Sequence, residues 1–199
     1  MSTPKVLVFA GSLRAASFNH RLAVQAAKAV DAHGGQATLV RLRDYPLPIY
    51  DGDIEANGLP ENAVKLKQLF WSHQGLLIAS PEYNSSVSGA LKNAIDWVSR
   101  QGGWAESGRQ GVEPGLSCFE GKAASLVSAS PGKLGGLRGL VHLRAILGNI
   151  GVLVLPAQLS VSAANEAFTP DGALVDHKQQ ATLDKIAGGL VRTLGRLHV

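Results

Sequence analysis

The chain has 199 residues, 45% of them apolar, enough for one α/β domain with a full core and short for two. Its formal net charge is +4, but the basic residues are scattered without a block of like charge, which speaks against a nucleic-acid partner and suits small anionic ligands. No apolar run approaches the roughly 20 residues that cross a bilayer, so no membrane partner is expected.

The first residues, MSTPK, lead straight into an apolar strand without the basic and apolar regions of a signal peptide. Lys5–Phe9 (KVLVF) reads as strand one. The polar loop GSLRAASFN follows, and then a helix with Leu22, Ala23, Ala26, Ala27 and Val30 on one stripe. His33-Gly34-Gly35 ends it, and Ala37–Leu42 is strand two. The proline-rich YPLPIYDGD reads as irregular. Pro60 opens a second helix to about Trp71, and Gly75–Ser80 is strand three.

After a second polar loop, SPEYNSSVSG, a third helix spans Gly89–Ser99. Residues 101–117 carry five glycines and no period, and read as a long loop. Lys122–Ser128 is strand four and Leu134–Asn149 a fourth helix, with the polar SASPGKLGG where they meet. Val152–Leu155 is strand five, and Leu183, Ile186, Leu190, Leu194 and Leu197 mark a C-terminal helix. Short apolar strands alternating with helices predict a parallel sheet covered on both faces. Right-handed crossovers favour the order 2-1-3-4-5, with a ligand site at the carboxyl ends of the strands.

In that order the three polar loops share one rim. The first leads into a helix N-terminus, where free N–H groups and the helix dipole favour an anion. Arg14 adds a donor fork suited to phosphate. This loop therefore reads as a phosphate holder, with plain helix capping by Ser17 or Asn19 as the competing explanation.

Other signals are weak. The sequence has no GxGxxG, no GxxxxGK[ST] and no GxSxG motif. His20, His33, His73, His142, His177 and His198 show no metal-binding spacing. The one cysteine, Cys118, cannot form an internal disulfide; a buried apolar role and a cytoplasmic, reducing setting are expected.

Taken together, GSLRAASFN, SPEYNSSVSGALKNAIDW and SASPGKLGG are very similar to the motifs of the NADPH-dependent FMN reductase family, which includes quinone, chromate and azo-dye reductases. The similarity runs from Val6 to about Val161. It implies a flavodoxin-like three-layer sandwich over residues 1–199, with helices on both faces of the sheet. It also implies bound FMN, with NADPH or NADH as electron donor.

By that resemblance, Ser12, Arg14, Ser17 and Asn19 hold the phosphate, and Phe18 and Leu13 contribute backbone or packing. Pro81, Glu82, Tyr83 and Asn84 lie along the ring. Ser128, Ser130 and Gly132 close on the ribityl chain and ring edge. Lys92, Asp96 and Trp97 are expected to be structural. No side-chain acid or base is implied. Quinones are the expected oxidants, with free flavin, azo compounds and chromate as others. An electron-carrying flavodoxin and a nucleotide sensor are the alternative readings. A homodimer or homotetramer is expected. Residues 101–117 look inserted relative to the family, either as a lid, a source of Trp104 for the substrate pocket, part of a subunit interface, or a mobile surface loop.

Overall fold

The structure, a computed structural model, describes residues 3–197. Met1, Ser2, His198 and Val199 lie outside it, and with them the start of the MSTPK segment and one of the six histidines. The elements in chain order are β1 (Lys5–Ala10), α1 (Phe18–Ala32), β2 (Gln36–Arg41), the short α2 (Gly52–Glu55), α3 (Glu61–Ser72) and β3 (Gly75–Ala79). Then come β4 (Glu82–Tyr83), β5 (Ser86–Val87), α4 (Gly89–Val98), β6 (Ala123–Ala129), α5 (Leu137–Asn149), β7 (Leu153–Val161) and α6 (His177–Leu197).

Five parallel strands form the sheet in the order β2-β1-β3-β6-β7. This is the 2-1-3-4-5 order, and the fold is flavodoxin-like. The three central strands are buried almost throughout, as unbroken apolar runs require when helices cover both faces. Alternation within β1 divides the core. Val6, Val8 and Ala10 face α1 and α6, while Leu7 and Phe9 face α3, α4 and α5. Each buried Val, Leu or Phe among them contributes about 1.5–3 kcal/mol, so these strands dominate the choice of fold.

The last strand is longer than its apolar core predicts. It runs to Val161 instead of Leu155, through a bulge. Ala124 pairs with Val154 but Leu126 pairs with Gln158, so β7 uses four steps where β6 uses two. Pro156, which lacks an N–H, lies inside the bulge. Arg144 satisfies the loosened backbone, donating to Leu155 O at 2.8 Å and to Gln158 Oε1 at 3.0 Å. A strand reading that stops at proline misses this partner from α5.

The fourth helix begins at Leu137, not Leu134, because Gly135 and Gly136 stand at φ 60° and 92°, outside right-handed helix space. The proline-rich connection contains α2, capped where Asp53 N donates to Asp51 Oδ1 at 2.8 Å. Cys118 is fully buried as expected, and burial pushes its thiol up to about 12, so it stays protonated and inert.

Residues 101–117 are anchored on α3. Lys67 of α3 forms a buried ion pair with Glu113 and also donates to Arg100 O. Glu113 accepts from Gly102 N at 2.5 Å. Trp104 packs edge-on against Trp71, centroids 5.4 Å apart, and the Arg109 guanidinium lies 4.7 Å from the Trp71 ring centre. Among the described residues, no hydrogen bond or ring contact of this segment reaches the loops after β1, β3 or β6. Its hydrogen bonds and ring contacts instead tie it to α3, through the buried Lys67–Glu113 pair and the Trp71–Trp104 contact.

Candidate functional site

The loops after β1, β3 and β6 meet at the carboxyl edge of the sheet, beside the point where strand order reverses. Short backbone bonds bind them together. Gly11 N donates to Ala79 O at 2.9 Å, Ser80 N to Val127 O at 2.9 Å, and Ser130 N to Val161 O at 3.0 Å. Ser88 caps α4 by accepting from Leu91 N at 3.1 Å, and it also donates to Gly11 O. A Cβ on Gly11 would come within 2.9 Å of the Leu91 side chain, so only glycine lets the first loop lie this close to α4.

The first loop presents donors outward. Ser17 is the N-cap of α1, accepting from His20 N at 3.2 Å, which leaves its O–H free to donate. Phe18 N and Asn19 N occupy the first two helical positions, where no intrahelical acceptor exists. Ser12 Oγ accepts from Arg14 N at 3.3 Å and bends the loop. Arg14 is exposed, and among the described residues it has no ion-pair partner. Phe18 stacks on Phe168 with centroids 6.5 Å apart.

Asn19 does something the local sequence does not disclose. Its side chain is buried, donates to Ala129 O at 2.8 Å and accepts from Ala129 N at 2.9 Å. Its amide is thus used in clamping α1 to the end of β6, and its backbone N–H, in the first turn of α1, has no intrahelical acceptor.

The second loop is a hairpin. β4 pairs with β5 in antiparallel register, and Asn84 and Ser85 at the turn have φ 51° and 64°, the pattern of a type I′ turn. Pro81 is buried, Tyr83 is half exposed and Asn84 exposed. The Glu82 carboxylate turns onto α5. Oε1 accepts from Arg138 Nε at 2.9 Å, and Oε2 accepts from Arg138 N at 2.9 Å and Gly139 N at 3.2 Å. Burial opposes its ionisation, but the hydrogen bonds from Arg138 and Gly139 outweigh burial and hold the carboxyl below its ordinary range.

In the third loop, Ser128 is fully buried and donates to Gly135 O at 2.7 Å. Its hydroxyl closes the loop on itself. Ser130 Oγ accepts from Gly132 N at 3.3 Å, and Gly132 is exposed with open space around its Cα. Lys133 stands exposed at the tip.

Two clefts result. One of about 320 Å³ lies between Ser12, Leu13 and Arg14 on one side and Tyr83 and Ala90 on the other. The second, about 170 Å³, is bounded by Glu82, Ser130, Gly132, Lys133 and Arg138. The structure thus gathers Ser12, Arg14, Ser17, Phe18, Pro81, Tyr83, Asn84, Ser130 and Gly132 at one rim, while the side chains of Asn19, Glu82 and Ser128 are already paired within the protein. Arg138 and Lys133 also border the second cleft and were not among the expected site residues. Lys133 lies within the quoted third loop, and the signal for Arg138 was its place in the first turn of α5 after that glycine-rich loop.

The donor set fits a phosphate monoester at the first loop, where hydroxyls, free N–H groups and one unpaired guanidinium converge. Among the described residues, no group of His, Cys, Asp and Glu could hold a metal ion, and the one carboxylate at the rim is committed to α5. The site can bind and orient; its side chains hold no free acid–base pair.

Residues 4–166 match the sequence model of the NADPH-dependent FMN reductase family. The chain is 34% identical over 195 residues to an NAD(P)H-dependent FMN reductase of Pseudomonas aeruginosa, covering 98% of this chain and 97% of that one. It is 33% identical over 189 residues to a quinone reductase of Escherichia coli, covering 94% and 91%. Among solved structures, FerB of Paracoccus denitrificans, a flavoenzyme NAD(P)H:(acceptor) oxidoreductase, superimposes with a TM-score of 0.79 at 27% identity, covering 98% of each chain.

Proposed function

The chain belongs to the NADPH-dependent FMN reductase family and is an FMN-dependent NAD(P)H oxidoreductase, and from that premise we propose how it holds FMN and what it reduces. The phosphate is held by the first loop, through the Ser12 and Ser17 hydroxyls, the N–H groups of Phe18 and Asn19, and Arg14. The ring lies against Pro81, Tyr83 and Asn84, with Ser130 and Gly132 at the ribityl chain and ring edge. The observation that carries this reading is the turn from β1 into α1, which holds the Ser12 and Ser17 hydroxyls, the first-turn N–H groups without intrahelical acceptors and Arg14; Ser12 and Arg14 also border a cleft of about 320 Å³.

Bound there, FMN would supply the redox chemistry, hydride acceptance from NAD(P)H and electron delivery to an oxidant. The residues around it supply binding and orientation. Arg14 and the α1 dipole neutralise the phosphate. Leu13 and Tyr83, each half exposed, wall the cleft and keep water from the flat ring. Glu82 is held ionised and stays out of the chemistry. Quinones are the proposed acceptors, in keeping with the quinone reductase among its relatives; azo compounds, free flavin and chromate are secondary. The relatives are reductases, so the electron-carrier alternative is not taken further.

A visible spectrum of the purified protein under nitrogen tests the reading. A flavin spectrum that bleaches with NADPH and returns with a quinone supports it; a flavin spectrum indifferent to NADPH and NADH overturns it. Arg14→Ala is expected to weaken FMN binding about 10- to 100-fold, as loss of a charge-assisted contact implies, while leaving riboflavin binding unchanged. Equal FMN affinity in parent and variant would remove Arg14 from the phosphate site.

The proposal extends to residues 1–199 acting as one FMN-binding domain in the cytoplasm, in a homodimer or homotetramer. The lone buried Cys118 suits a reducing setting, and Leu137 and Val141 on α5, with Leu134 in the loop before it, are exposed at 40%, 58% and 49%, apolar surface that a second copy can cover. A monomeric mass by light scattering is the result that rejects the oligomer.

A further inference from the structure

The Glu82–Val87 hairpin has two residues in each strand, too few to hold a shape alone. Its shape comes from α5. Gly139 permits the approach: a Cβ there would meet Ser86 O at 3.1 Å and Glu82 Cβ at 3.3 Å. Around this point Glu82 takes Arg138 with two prongs, Nε at 2.9 Å and Nη2 at 2.8 Å, both on Oε1. Its other oxygen accepts from the N–H groups of Arg138 and Gly139. A second tie joins His142 Nδ1 and Ser86 Oγ at 3.0 Å.

The N-terminus of α5 has no side-chain cap of its own, since Gly136 occupies the cap position. The Glu82 carboxylate, from 55 residues earlier in the chain, therefore serves as its cap and as its dipole's counter-charge. The same α5 turn follows directly on the third loop, whose Gly135 and Gly136 pack against Val161 and Ser128. One carboxylate thus joins the second loop to the third.

We infer that Glu82 is a positioning residue: by latching the hairpin onto α5 it sets the distance between the second and third loops, and with it the slot for the flavin ring, before the cofactor arrives. This rests on the proposed placement of the ring against those loops. Glu82 acts here through Arg138 and α5, without contact between its side chain and the flavin.

The test is flavin titration of the full chain with FMN and with riboflavin, read by quenching of flavin fluorescence, for the parent, Glu82→Gln, Arg138→Gln and the double variant. Each single change is expected to raise both dissociation constants by the same factor, about tenfold, so that the FMN-to-riboflavin ratio is unchanged. The double variant is expected to be no worse than Glu82→Gln, because both changes undo one latch. Parent-like constants for both flavins in folded Glu82→Gln, with only the Tm lowered, would mean a purely stabilising cap and overturn the inference. So would a loss confined to FMN, or losses that add in the double variant. Arg138 has a side chain 58% exposed, so Arg138→Gln carries the same test if Glu82→Gln does not fold. Failure of the phosphate assignment is seen separately, as an Arg14→Ala variant whose FMN-to-riboflavin ratio equals the parent's.

Discussion

Replacing Lys67 by alanine is expected to destabilise the protein by about 3–5 kcal/mol and to open residues 101–117 to proteolysis. The Lys67 side chain is 1% exposed and that of Glu113 8%. The ammonium pairs with Glu113, donates to Arg100 O and lies 5.1 Å from the centre of the Trp71 ring. Truncation leaves the Glu113 carboxylate in a dry site with only Gly102 N and Ser117 Oγ as partners. Stranding a buried charge costs more than the intact pair contributes, because the desolvation of the survivor is no longer offset. The double change Lys67→Met with Glu113→Leu removes both charges and is therefore expected to be closer to the parent than Lys67→Ala alone. Urea unfolding midpoints and limited trypsin digestion measure both effects. A Lys67→Ala variant with the parent's midpoint would mean that the pair is solvated in solution. Flavin binding by the folded fraction is expected to be intact, since the segment does not reach the rim.

Gly135→Ala is expected to cost about 2–5 kcal/mol, the sum of a left-handed backbone penalty and overpacking, and to strip the protein of FMN. Gly135 stands at φ 60°. A Cβ there would lie 2.8 Å from Val161 C, 2.9 Å from Ser160 C and 2.9 Å from Ser162 N. All three are backbone atoms at the end of β7 and its exit, so no rotamer change can relieve the contact. The only escape is movement of the loop, and that breaks the Ser128 Oγ bond to Gly135 O. The third loop then no longer stands where it can close on the ring. Gly132→Ala is the control: its Cβ would meet only Ser130 Oγ, at 3.7 Å, so its Tm should stay near the parent's. Thermal unfolding and the flavin absorbance of the purified variants decide. A Gly135→Ala protein with the parent's Tm and full flavin content would mean that the loop tolerates the shift.

These two positions show where reading a sequence stops. Gly135 is visible as one glycine in SASPGKLGG, but nothing local says that the backbone of β7 lies against it. Lys67 sits on a helical stripe with Val64 and Trp71, but nothing local names the group that would pair its charge. Its partner is 46 residues away, in a segment with no period of its own.

The sheet was legible because its cause is local. Unbroken apolar runs at β1, β3 and β6, each followed by a helical stripe, can be satisfied only by a parallel sheet covered on both faces. The first loop was legible for a similar reason: a strand-to-helix turn carries its hydroxyls, free N–H groups and Arg14 within nine residues. What the sequence by itself determined is therefore the layer order, the rim at which the loops meet, and the donor-rich turn at the start of α1. Only the tertiary structure decided which polar side chains of that rim are free. Asn19 is spent on Ala129, 110 residues on, and Glu82 on Arg138, 56 residues on, while Ser128 closes its own loop. The physical reason is that a buried polar group must be paired wherever the fold places it, and its partner is set by how the chain packs.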